Sequence, residues 1–82
     1  MTKGDLYKTP SNQYRFVLGQ TPTGDVAFAT RGERSNPGYN HCQIQPRGKF
    51  IQESSLVRKE SPEETAHVTE KFANYISANH VA

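Results

Sequence analysis

Tryptophan is absent from this chain, cysteine and methionine occur once each, and no apolar run approaches the length a membrane span needs. Each shortage excludes something. With Cys42 alone, no internal disulfide can form, and a single free thiol suits a reducing compartment, so a cytoplasmic protein is expected. The amino-terminal "MTKGDLYKT" has no apolar core of the kind a secretory signal requires. Aliphatic side chains are also scarce. The core of these 82 residues must therefore lean on Tyr7, Tyr14, Phe16, Phe28, Phe50, Phe72 and Tyr75, within one domain spanning residues 1–82.

Catalytic and metal-binding signatures are missing as well. Zinc needs three or four ligands at short spacing, whereas the chain offers Cys42 and the distant histidines 41, 67 and 80. Next to each other on a strand, His41 and Cys42 point to opposite faces and cannot work as a nucleophile and its base. Cys42 shares parity with Ile44, as a small buried hydrophobe would. No "GxSxG" elbow and no phosphate-loop glycine spacing occurs. The acidic residues read as turn or helix-start residues rather than a dry, converging pair. The expectation is a non-enzymatic protein with no catalytic residue, metal or cofactor.

What the chain does contain is period and punctuation. "DLYKT" (5–9), "QYRFVLGQ" (13–20), "DVAFATR" (25–31), "YNHCQIQ" (39–45) and "KFIQE" (49–53) are short segments, several of them rich in aromatic or β-branched residues. Tyr14, Phe16 and Leu18 form one apolar face of the second strand. Val26 with Phe28, and Cys42 with Ile44, are expected to continue that face. "TPSN", "TPTG" and "QPRG" each place proline second and Asn or Gly fourth, the chemistry of a type I turn. A meander of antiparallel strands over residues 3–53 follows.

After a connector at 54–60, the period changes. Ser61, Pro62 and Glu64 spell a helix start, in which hydroxyl and carboxylate satisfy orphan amides. Over 61–80, Thr65, Val68, Phe72, Tyr75, Ile76 and Asn79 fall within an arc of about 100°. That stripe should pack on the sheet.

The fold class is therefore α+β: a five-stranded antiparallel meander followed by one C-terminal amphipathic helix packed on it. In architecture this resembles the small SH3-like barrels, and "KGDLYKTPSNQYRFVLG" looks like the opening of such a barrel, a likeness covering roughly residues 3–53. The resemblance implies a closed sheet; the alternative is a strongly curled open one with the helix across a face.

Charge is uneven although the formal net value is only +2. Residues 1–59 hold nine Lys or Arg against four Asp or Glu, and residues 60–82 hold one Lys against four Glu. The basic side chains gather around "RGERSNPGYNHC" and the segment after it, which makes Arg31, Arg34, Tyr39, His41, Arg47 and Lys49 the candidate binding residues. Tyr and His stack on bases while Arg and Lys neutralise phosphates, so a nucleic acid is the expected partner. The second expectation is a protein partner, as for a small phage- or plasmid-type accessory protein that inhibits a host protein, with Tyr39 and Arg34 as anchors. A homodimer through an exposed sheet edge is a further option, and no membrane is expected.

Overall fold

The computed structural model describes residues 1–32 and 38–82. Two hairpins built in the same way start the fold. Strand β1 (Asp5–Lys8) turns into β2 (Gln13–Gln20), which turns into β3 (Val26–Gly32). In the first turn the Asn12 amide donates to the Thr9 carbonyl at 3.0 Å, and in the second Gly24 donates to Thr21 at 2.9 Å. The hydroxyls of Thr9 and Thr21 each accept the amide four residues on, from Gln13 and Asp25, at 3.1 Å. Asn12 and Gly24 adopt positive φ, +66° and +85°, which is why Asn and Gly occupy the fourth turn position.

Strand β4 (His41–Gln45) pairs with β3, and β5 (Ser55–Lys59) pairs with β1, which gives one antiparallel sheet in the order β4-β3-β2-β1-β5. The sheet is open, with β4 and β5 at its edges, so the closed-barrel alternative is not the one adopted. β1 and β3 share a direction, so β4 and β5 share the opposite one. Strands that run alike and lie at opposite edges need a connection that crosses a face of the sheet.

Helix α1 (Arg47–Glu53) makes that crossing, and this corrects the expected fifth strand at 49–53. "QPRG" is accordingly a helix start: Pro46 is the N-cap at φ −55°, and its carbonyl accepts the Phe50 amide at 3.1 Å. Phe50 is fully buried, whereas the neighbouring Ile51 is half exposed. A short apolar run carries no period that separates strand from helix; what decides is that Val17, Val26 and Phe28 need a cover on their side of the sheet. The expected connector at 54–60 is largely the true fifth strand.

The other face is covered by the C-terminal segment. Ser61 caps α2 (Pro62–Lys71), accepting the Glu64 amide at 3.1 Å, with Pro62 in the first turn, as the sequence indicates. The single expected helix is two: Phe72, at φ −108° and ψ 25°, separates α2 from α3 (Ala73–Ala78). Val68, Phe72, Tyr75 and Ile76 pack on Leu6, Phe16, Leu18, Ala27 and Ala29 as the expected stripe. Among the described residues, no helix is long and apolar enough to cross a membrane.

Two faces are thus buried, not one, and Val26 and Phe28 lie on the α1 side, opposite Phe16 and Leu18. The register shows why. Gly19 faces Ala27, but Val17 faces Phe28, so Leu18 is an extra residue in β2. That bulge shifts the pairing by one and exchanges the faces of everything beyond it.

Candidate functional site

Beyond the bulge the register aligns three side chains in one row on the face covered by α2 and α3: Lys8 stands opposite Tyr14, and Tyr14 opposite Arg31. Directly opposed residues on neighbouring strands bring side chains together on one face. The Arg31 guanidinium lies over the Tyr14 ring at 4.3 Å from its centroid, and the Lys8 ammonium lies over the same ring at 5.5 Å. None of the three is fully buried. Lys8 and Arg31 take part in no ion pair among the described residues, so the row presents net positive charge on an aromatic base.

Tyr39 holds the row from beneath. Its ring is 5 % exposed, packs on Phe16 at 5.5 Å, and has the Arg31 guanidinium 5.3 Å from its centroid. Arg31 therefore sits between two tyrosine rings, one half exposed and one buried. The Lys71 ammonium, from the last turn of α2, donates to the Tyr39 carbonyl and lies 5.5 Å from the Phe72 ring. It adds a third cation, itself exposed, without a carboxylate partner among the described residues. Burial raises the Tyr39 hydroxyl above its ordinary pKa, although the adjacent Arg31 charge pulls the other way. The hydroxyl is shielded from solvent and has no hydrogen-bond partner among the described residues.

Of the six residues expected to form one surface, the five described do not share a face. Arg31 belongs to the row just described. Tyr39 is core, not an exposed stacking platform or anchor, because its ring fills the space between Phe16 and Arg31. His41 faces Thr30 in the next row, on the α1 side of the sheet, and is exposed there. Arg47 and Lys49 are exposed on α1, over that same side. Arg34 lies outside the described residues.

On the α1 side the conspicuous cation is Arg15, which is only 7 % exposed. It rests over Phe28 at 4.9 Å and Phe50 at 5.6 Å. Its Nε donates to Gln13 Oε1 at 2.8 Å, and its terminal nitrogens reach Gln45 Oε1 and Glu53 Oε1, each at 3.3 Å. With every nitrogen engaged, this guanidinium fastens α1 to the sheet; a buried charge persists only when so satisfied. Cys42 is half buried against the helix-covered core, and burial pushes its thiol up to about 11 despite the opposing Lys71 charge. That is the reverse of an activated nucleophile.

Reasoning on the sequence overlooked Lys8, Tyr14 and Lys71. The first pair was legible, since the "TPSN" turn sets Lys8 opposite Tyr14. Arg31 joins them only through the bulge, and Lys71 only through helix packing. No family model matches the chain, and no curated protein or solved structure does.

Proposed function

We propose that this protein is a small non-enzymatic module that binds single-stranded nucleic acid on the row Lys8–Tyr14–Arg31. The observation that carries this reading is the Arg31 guanidinium held 4.3 Å over the Tyr14 ring, flanked by Lys8 on the same ring. A guanidinium held between aromatic rings is already oriented, so its N–H edge meets a phosphate and an unpaired base stacks against the exposed part of the row with little further ordering. Lys8 and Lys71 then supply charge to the flanking phosphates. Unpaired bases are required because the row is a stacking surface, not a set of groups that reads a duplex groove.

The test is fluorescence anisotropy with single-stranded DNA and RNA oligonucleotides at low salt. Three cations predict a slope of log affinity against log salt of roughly −2. Lys8→Ala combined with Arg31→Ala lowers affinity by at least about tenfold, the cost of losing one good charge-assisted or stacking contact. Arg47→Ala combined with Lys49→Ala, on the other side of the sheet, leaves it unchanged. Absence of binding to any oligonucleotide, or binding that depends on Arg47 and Lys49 alone, overturns the assignment.

A further inference from the structure

Between α2 and the end of β5 runs an open groove of about 760 Å³. Its helix wall carries the small side chains of Pro62, Ala66 and Thr69 on α2 and Ala73 at the start of α3, together with Glu70, and its strand wall includes Lys3 and Lys59. The lining is mostly carbon, and the Thr69 hydroxyl is buried there without a hydrogen-bond partner among the described residues. An apolar groove on so small a domain is a cost to leave in water.

The charges beside it say what fits. Lys59 is engaged with Asp5 at 3.3 Å, and Glu60 with Arg58 at 2.9 Å. Lys3 on the strand side and Glu70 on the helix side enter no ion pair among the described residues. One unpaired cation and one unpaired anion on opposite walls are what a two-fold contact needs, because in such a contact the same surface must complement itself.

We propose that this groove is the contact surface of a homodimer, with α2 of one copy lying antiparallel against α2 of the other. Small residues along the helix wall let two helix axes approach to the short end of the usual range, about 8 Å. In an antiparallel pairing centred on Ala66, Glu70 comes opposite the second copy's Pro62, beside the wall that carries Lys3. Each copy contributes the pair once, so two such contacts close the interface. The groove alone falls short of the roughly 800 Å² per partner of a tight complex, and the dimer is accordingly weak. None of Lys8, Tyr14 and Arg31 lines the groove, so the dimer stands independently of the nucleic-acid reading.

Sedimentation equilibrium between about 10 μM and about 1 mM reads the monomer–dimer equilibrium directly. The expected result is a reversible dimer within that range. Ala66 is exposed in the single chain, so Ala66→Glu preserves the fold, checked by its unfolding midpoint, and raises the dissociation constant at least about tenfold. Glu70→Lys weakens the dimer, and adding Lys3→Glu restores it. A protein that stays monomeric throughout, or a dimer indifferent to Ala66→Glu, overturns the proposal; a double charge reversal that restores nothing overturns the Lys3–Glu70 pairing.

Discussion

Gln20 and Ala82 exchange both of their backbone hydrogen bonds, each at 2.9 Å, so the last residues of the chain lie alongside β2 at its bulge. The approach is close enough that Gly19, at φ +145°, admits no side chain: a Cβ there would stand 2.5 Å from the Ala82 carbonyl oxygen and 2.9 Å from Val81.

Gly19→Ala therefore meets two penalties, a backbone conformation that L-residues rarely adopt and a collision with main-chain atoms. The expected loss is about 2–4 kcal/mol, measured by urea unfolding, with faster amide exchange at Ala82. A variant as stable as the parent would show that residues 81 and 82 do not hold this position.

Phe50 is the keystone of the α1 side. It is fully buried, with its ring 4.9 Å from that of Tyr7 and 5.0 Å from that of Phe28. Phe50→Ala should cost about 3–5 kcal/mol, a large part of what a small domain has. Ile51→Ala, one position along and half exposed, should stay within about 0.5 kcal/mol. Denaturant midpoints of the two variants check the helix assignment at 47–53: comparable losses at both positions would contradict it.

Cys42 should resist alkylation. Its thiol is pushed up to about 11 by burial, so little thiolate exists near neutral pH, and iodoacetamide should modify the folded protein far more slowly than the unfolded one at pH 8. A folded-state value above the unfolded one means that the folded state holds the proton more tightly. This contribution to stability is whole below about pH 9 and declines as pH rises toward 11. Cys42→Ala should remove that part of the alkaline decline, read as unfolding midpoints across the pH range.

Tyr39 separates a core residue from a binding anchor. Because its hydroxyl is buried without a partner among the described residues, Tyr39→Phe should be neutral or stabilising by up to about 1 kcal/mol. Tyr39→Ala should cost about 3–5 kcal/mol by opening a cavity beside Phe16 and loosening Arg31. Thermal unfolding of both variants provides the check; a marked loss in Tyr39→Phe would mean that the hydroxyl is bonded after all.

Local chemistry made several features legible in the amino-acid order. The turns at 9–12 and 21–24 follow from Thr, Pro and a residue tolerant of positive φ. The start of α2 follows from Ser61, Pro62 and Glu64, and the apolar stripe through Val68, Phe72 and Tyr75 from the helical period. Each depends on residues within a few positions of one another. The conversion of "KFIQE" into a helix is of another kind, since it depends on where β5 must arrive.

The bulge at Leu18 and Gly19 draws the same line through the candidate site. The "TPTG" turn by itself sets Gln20 opposite Val26, and continued without interruption that register would place Tyr14 opposite Gly32 and align Phe28 with Leu18. The extra residue in β2 moves Tyr14 opposite Arg31, sends Phe28 to the α1 side and leaves the alanines 27 and 29 beneath the C-terminal helices. A single insertion reverses inside and outside because side chains alternate with a period of two. The amino-acid sequence determined which residues could stack and carry charge; whether Arg31 met an aromatic ring or water was decided by a register shift beside the docked Ala82, a contact between residues more than sixty positions apart.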